Sequence, residues 1–291
     1  MPSLQANGLD IAYEEMGEPS DPLILLVMGL SAQMHWWDDD FCTGLAAKGY
    51  RVVRFDNRDV GGSTKITGGP PVDLGGLLVG DRSAVPYSLE DMAADTVGLL
   101  DGLGVGAAHV VGASMGGMIA QALAIAHPER VLSLCSIMST TGATDVGQPS
   151  EEAVAVLLRP PATDWESYLD GALVSARVIG SPGFPFDEER IRSRAERSWA
   201  GGYYPDGVVR QLAAILAAAD RTGGLGRLEM PTLVVHGESD PLVNPSGGRA
   251  TAAAVPGAEL LTVPGMGHDL PSPVWPMLID AIVANAERSG G

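Results

Sequence analysis

The residues best equipped for chemistry lie in the run His109-Val110-Val111-Gly112-Ala113-Ser114-Met115-Gly116-Gly117-Met118. An apolar, strand-like stretch breaks on glycine, presents one serine, and continues into a small-residue helical stretch. That is the pattern of a nucleophile elbow, a sharp strand-to-helix turn that lifts a serine hydroxyl clear of a sheet. Gly112 and Gly116 stand two residues on either side of Ser114, where a side chain would collide as strand and helix fold back on each other. Ser114 must then hold a strained backbone angle of the kind that collects at functional sites.

A serine hydroxyl needs a base to take its proton during attack. Of five histidines, four have structural explanations or unsuitable positions. His109 opens a strand, where a polar tip at the sheet edge suffices. His127 precedes Pro128 at a helix end, and His236 closes a buried strand before Gly237. His35 follows the first buried strand, so it could line a pocket, but it precedes the serine in the chain. His268 lies in Pro264-Gly265-Met266-Gly267-His268-Asp269, a glycine-containing loop after the last strand, from which an imidazole can reach a serine at the same end of the sheet. The base in turn needs a carboxylate to fix its tautomer and stabilise the imidazolium. Asp240, in Val235-His236-Gly237-Glu238-Ser239-Asp240-Pro241, is the leading candidate. Asp145 is a rival deeper in an irregular segment, and Asp269 points from the wrong place in its loop. The oxyanion of an acyl-transfer intermediate would rest on two backbone N–H groups. One belongs to Met115, directly after the nucleophile at a helix start; the other to Leu30, where Gly29 permits the necessary turn. One such donor is worth about 3 kcal/mol in the transition state.

The elements that must position these groups alternate. Leu9 to Glu15 reads as an edge strand pairing with Ser3 to Ala6. Pro22 to Met28 is a continuous apolar run, as expected of a strand buried on both faces. A helix follows over Trp36 to Lys48, then a strand over Arg51 to Phe55. Thr67 to Ser83, rich in Gly and Pro, reads as a long surface loop. Leu89 to Leu103 has helical periodicity, with Ser88 and Asp91 spaced as a capping box. Strand Ala108 to Val111, helix Met115 to Ala126 and strand Val131 to Ile137 come next. The alternation implies right-handed crossovers and a mostly parallel sheet. It stops near Gly142 and resumes after Gly226 with strand Thr232 to His236, helix Ser246 to Ala254, strand Glu259 to Val263 and helix Val274 to Arg288. Residues 1–141 and 227–291 thus form a core domain, and 142–226 an inserted helical cap. The cap carries Trp165, Trp199 and Tyr203, which with His35 and Trp36 are candidate substrate-pocket residues; packing within the cap explains the aromatics equally well.

Composition narrows the partners. The 291 residues are 45% hydrophobic, enough for a substantial core, and 36 acidic against 18 basic side chains give a formal charge of -18. Such a surface repels phosphate backbones and disfavours nucleic acid. Cys42 and Cys135 are far apart and lack metal-ligand spacing, so neither a disulfide framework nor a zinc site is expected. Met1 to Asp10 shows no signal-peptide pattern, and no segment approaches the roughly 18 apolar residues of a membrane span. A soluble cytoplasmic protein without membrane association is expected.

On these motifs the chain resembles the alpha/beta-hydrolase superfamily over nearly its whole length. The residues that carry the likeness are Leu26-Val27-Met28-Gly29, Phe55-Asp56-Asn57-Arg58-Asp59-Val60-Gly61-Gly62-Ser63, the elbow at Ser114, Gly237-Glu238-Ser239-Asp240-Pro241 and Gly265-Met266-Gly267-His268. The resemblance implies an α/β fold with a mostly parallel eight-stranded sheet, flanking helices and an inserted cap, and a Ser114–His268–Asp240 triad. Met28 stands where the family often has histidine, a change that leaves a backbone oxyanion hole intact. The first, second and last of these motifs are similar to actinobacterial polyketide methylesterases of the aclacinomycin methylesterase kind. That implies a serine esterase without a cofactor, acting on a small-molecule ester, with a homodimer left open. The same triad also serves perhydrolases and haloperoxidases, lactonases and carbon–carbon bond hydrolases, and hydrolase folds also occur as non-catalytic small-molecule receptors. Serine rather than aspartate at 114 argues against dehalogenase and epoxide chemistry.

Overall fold

Leu23–Val27 (β3) is buried along its whole length because it lies inside a sheet covered on both faces. In the computed structural model, which describes residues 1–290 apart from the side chain of Leu78, this strand is one of eight. The others are Ser3–Ala6 (β1), Leu9–Met16 (β2), Arg51–Phe55 (β4), Ala108–Ala113 (β5), Val131–Ile137 (β6), Thr232–Gly237 (β7) and Glu259–Val263 (β8). Their spatial order is β1-β2-β4-β3-β5-β6-β7-β8. The two pairings of β2 are antiparallel, and every other pairing is parallel.

Alternate residues of the central strands serve different cores. Leu23, Leu25 and Val27 pack beneath Leu89–Gly102 (α3) and Met115–Ala126 (α4). Ile24 and Leu26 face Asp39–Ala46 (α1) and Trp275–Glu287 (α11). The Ser88–Asp91 capping box that opens α3 is formed, with the Asp91 N–H donating to Ser88 Oγ and the Ser88 N–H to Asp91 Oδ2.

The chain leaves β3 in one direction to β4 and later returns beside β3 in the other direction with β5. The C-terminal edge between β3 and β5 is therefore the switch point where open α/β sheets place their ligands. Between β6 and β7 the chain forms Glu151–Leu157 (α5), Trp165–Ile179 (α6), Glu188–Ala200 (α7), Pro205–Ala217 (α8) and Thr222–Leu225 (α9). Ser246–Ala254 (α10) joins β7 to β8. No helix among the described residues is long and apolar enough to cross a membrane.

Four local expectations need correction. The outermost strand is β1, because β2 pairs with β4 as well as β1 and so lies inside the sheet. The helix expected over Trp36 to Lys48 is a 3-10 turn at Met34–Trp36 followed by α1, since the backbone is extended at Trp37 and at Asp38, whose carboxylate is taken by Arg190 and Arg194. The Gly/Pro-rich stretch is not all loop: Asp73 accepts the Gly76 N–H and opens a short helix, Leu74–Leu78 (α2). His109 is not at the sheet edge but buried, with Nδ1 2.9 Å from Ser133 Oγ and its ring edge-on to Tyr50.

Candidate active site

Ser114 joins β5 to α4 with φ 56° and ψ -121°, a conformation rarely tolerated by a residue with a Cβ. Sheet pairing and glycine hold it there. The Ser114 N–H donates to the Ile137 carbonyl at 2.9 Å. A Cβ on Gly112 would strike the Gly116 carbonyl, and one on Gly116 would strike the carbonyls of Val27 and Met28. Strand and helix can thus cross close enough to lift the hydroxyl above the sheet only with glycine at both positions.

The other two side chains arrive from the ends of β7 and β8. His268 places Nε2 2.8 Å from Ser114 Oγ and Nδ1 2.8 Å from Asp240 Oδ2. The Asp240 side chain is fully buried, and its Oδ1 accepts the N–H groups of Leu242 and Val243, both at 2.9 Å. Burial alone would raise the Asp240 pKa. The His268 charge, hydrogen bonds from His236 and His268 and the Val243 amide overcome it and hold the carboxyl down at about 2. Asp145 is exposed, and Asp269 instead accepts a hydrogen bond from Ser181 Oγ.

The histidine loop is fastened from outside the core. The His268 N–H donates to the Ile179 carbonyl at 2.7 Å, and the Gly267 N–H to Ser181 Oγ at 2.9 Å, both at the C-terminal end of α6. A Cβ on Gly267 would strike the Gly180 carbonyl, so this contact too depends on glycine.

The β3 loop lies against the nucleophile, where a Cβ on Gly29 would stand 3.1 Å from Ser114 Cβ and 3.6 Å from its Oγ. The N–H groups of Leu30 and Met115 have no intramolecular acceptor among the described residues. Two unpaired N–H groups beside a nucleophile are what stabilisation of an acyl-transfer oxyanion requires.

The five pocket candidates separate into two groups. Trp165, Trp199 and Tyr203 form one half-buried aromatic cluster with Tyr168, whose ring centroid lies 4.6 Å from that of Tyr203 and 5.4 Å from that of Trp199. Tyr168 and Tyr203 also border a crevice with Ser31 and Gln33 of the β3 loop. His35 and Trp36 instead dock α7 onto the core. His35 Nε2 and Trp36 Nε1 both lie 3.1 Å from Ser198 Oγ, and the Arg194 guanidinium covers the Trp36 ring. His35 lines a separate cavity of about 320 Å³ with Glu14, Gln33, Asp56 and Arg197. Burial and the nearby Arg197 charge hold its imidazole down at about 4.

Two contributors were not singled out as functional in the sequence. His236 places Nε2 2.7 Å from the Val243 carbonyl, bracing the turn that presents Asp240. Gln211, fully buried on α8, reaches the β3 loop. Proximity to Asp240 in the Val235–Pro241 motif was a signal for the first; an isolated glutamine in an amphipathic helix offered none for the second.

Residues 22–271 match the family model for the alpha/beta hydrolase fold. The chain is 32% identical to rhodomycin D methylesterase DnrP of Streptomyces peucetius, over 95% of this chain and 94% of that protein. Rhodomycin D methylesterase DauP of Streptomyces sp. strain C5 gives the same identity and coverage. Among solved structures, the enol-lactonase of Burkholderia xenovorans LB400 superposes with a TM-score of 0.74 at 22% identity, covering 98% of this chain and 99% of its own.

Proposed function

The chain belongs to the alpha/beta hydrolase family, and we propose that Ser114, His268 and Asp240 are its catalytic triad, acting on the methyl ester of a bulky acid. The enzyme is a serine carboxylesterase. The observation that carries the assignment is the unbroken relay Ser114 Oγ–His268–Asp240, with 2.8 Å at each link. His268 Nε2 takes the Ser114 proton as Oγ attacks the ester carbonyl. The carbonyl π pair moves onto oxygen, which the Leu30 and Met115 N–H groups receive. Collapse of the tetrahedral intermediate breaks the bond to the alcohol oxygen, and His268 returns its proton to that oxygen. Water then attacks the acyl-enzyme, giving one proton to His268. The acid leaves as Ser114 Oγ recovers that proton. Asp240 stays ionised throughout and stabilises the imidazolium.

The methyl-ester preference is supported by the rhodomycin D methylesterases, 32% identical to this chain over nearly its full length. The Trp165–Tyr168–Trp199–Tyr203 cluster belongs to a helical cap, residues 142–226, and its ring faces suit a flat, extended acyl group. His35 and Trp36 hold that cap in place rather than touch substrate.

A fluorophosphonate probe followed by peptide mass spectrometry should find the adduct on Ser114, and Ser114→Ala should abolish both labelling and ester turnover. In a panel of aromatic carboxylates, methyl esters should turn over faster than amides or larger alkyl esters. Full activity in Ser114→Ala overturns the assignment. A faster reaction with peroxide than with water as acyl acceptor moves the enzyme to perhydrolysis.

A further inference from the structure

Gln211 is fully buried on α8, yet its amide bonds only to core backbone. Oε1 accepts the Ser31 N–H at 2.8 Å, and Nε2 donates to the Arg58 carbonyl at 2.8 Å. Burying a primary amide is costly unless both ends are paired, so the side chain is constrained to join the β3 loop to the β4 loop.

The peptide units of the β3 loop show what this constraint affects. The Leu30 N–H belongs to the Gly29–Leu30 peptide. On one side, the Met28–Gly29 peptide is anchored because Asn57 Nδ2 donates to the Met28 carbonyl at 2.9 Å. On the other, the Leu30–Ser31 peptide is anchored by Gln211 through the Ser31 N–H. Ser31 itself holds φ 58°, a left-handed conformation that a non-glycine residue keeps only when its neighbours impose it. The peptide carrying the Leu30 N–H accepts the Ala32 N–H at 3.3 Å through its own Gly29 carbonyl, and of the two peptides that flank it one is held from the core and the other from α8. Arg210, the preceding residue on α8, secures the other: its Nε and Nη2 donate to the two Asp59 carboxylate oxygens at 2.8 and 3.0 Å.

We infer that Gln211 is a positioning residue for transition-state stabilisation, through which cap helix α8 aims the Leu30 N–H at the developing oxyanion. The inference rests on the esterase reading, in which the Leu30 N–H is an oxyanion donor. It makes docking of α8 and completion of the oxyanion hole one event. The cap is then part of the catalytic apparatus as well as a wall for substrate.

Two variants test it. Gln211→Met keeps the length of the side chain and removes both hydrogen bonds. Gln211→Glu keeps an acceptor for the Ser31 N–H and, when protonated, also supplies the donor to the Arg58 carbonyl. Turnover of p-nitrophenyl acetate is measured per active site counted by fluorophosphonate labelling. Inhibition by an aryl trifluoromethyl ketone, whose serine hemiketal puts an oxyanion in the hole, is measured beside it. Gln211→Met should lower kcat per labelled site roughly 10- to 100-fold, less than the full loss of an oxyanion donor. KM should stay within about twofold, and the ketone should weaken by a factor similar to that in kcat. The activity of Gln211→Glu relative to the unaltered chain should rise as pH falls through the range in which its buried carboxyl takes up a proton.

Unchanged kcat per labelled site in Gln211→Met, or a fall in kcat with ketone affinity intact, overturns the inference. If that variant does not fold, a pH-independent activity ratio in Gln211→Glu with undiminished ketone affinity overturns it instead. An unaltered chain that neither labels at Ser114 nor binds the ketone removes the esterase reading and this inference together. Labelling and binding by the unaltered chain beside an indifferent Gln211→Met remove the inference alone.

Discussion

Asp240 shows how far a single side chain can be argued. Its carboxyl lies at about 2 against an ordinary value of 3.8, chiefly because the His268 charge and hydrogen bonds overcome its burial. The folded group therefore binds its proton less readily than the unfolded one. The stability it contributes is complete above about pH 4 and is lost as pH falls through about 2. Loss of activity near neutral pH consequently cannot come from protonation of this carboxylate. Asp240→Asn should lower kcat by about 10⁴-fold by favouring the wrong imidazole tautomer, whereas Asp145→Asn should leave it within about twofold; the reverse order in steady-state assays would reassign the acid. His35 has the same sign of linkage in a higher window, because burial there disfavours the charged imidazole. Its folded imidazole titrates at about 4 against 6.5, so the unfolded chain binds more protons between those values and stability must fall as pH drops through that window. The most His35 can withdraw is about 3 kcal/mol. His35→Gln should show a smaller drop in urea midpoint between pH 7 and pH 5 than the unaltered chain, and an equal drop would exclude it as an acid-sensitive group. Ser114, Asp240 and His268 were legible because each sits in a short motif at a strand end. Gln211 was not, because its partners, Ser31 and Arg58, are 180 and 153 residues away and lend only backbone atoms.

The elements were legible where one hydrophobic period ran unbroken. Arg51–Phe55, Met115–Ala126 and Val131–Ile137 occupy the expected positions because each is largely apolar and buried along most of its length. The failures came where a local cap outweighed the period, as at Asp73, or where neighbours in space decided, as with the arginines on Asp38 and with the edge at β2. The elbow itself is the element most exposed to a single methyl group. Gly116→Ala would drive a Cβ into the Val27 and Met28 carbonyls, at the end of β3 and the start of its loop, and neither backbone can retreat without opening the sheet. We expect about 3 kcal/mol of lost stability in urea unfolding, with little esterase activity even in the folded fraction. Ser181→Ala is the gentler counterpart: it removes the hydroxyl that accepts the Gly267 N–H and donates to Asp269, leaving the His268 N–H bond to Ile179 in place. Its expected signature is a kcat reduced by roughly 10-fold at unchanged KM. A KM effect alone would mean that the end of α6 contacts substrate and does not hold the histidine loop.

Across the whole molecule, the helical segment between β6 and β7 is joined to the sheet domain through a buried cation. Arg221, 6% exposed, directs Nη2 to the Thr140 carbonyl at 2.9 Å, Nη1 to the Ala219 carbonyl at 3.3 Å and Nε to Gln121 Oε1 at 3.1 Å. Its own N–H donates to the Thr141 carbonyl at 2.9 Å. One side chain thus gathers the chain where it departs after β6, where it returns before α9, and the middle of α4, whose Gln121 is itself tied to Ser136 of β6. These direct partners are neutral acceptors, and burial lowers the Arg221 pKa to about 10. A desolvated charge is retained here because a planar guanidinium spreads its donors over three nitrogens and so meets three separated acceptors, whereas an ammonium donates from a single point. Arg221→Met fills similar space but strands those acceptors, and should cost about 2–3 kcal/mol, with Arg221→Lys recovering little of it. Since Gln211, Ile179 and Ser181 all act from this segment, loosening its attachment should cost activity before global unfolding. In a urea titration of Arg221→Met, esterase activity should fade at a lower concentration than the loss of hydrogen-exchange protection of the buried β5 amides. Coincident transitions in the variant, as expected of the unaltered chain, would show that the helical segment and the sheet domain open as one unit and that Arg221 contributes only to their common stability.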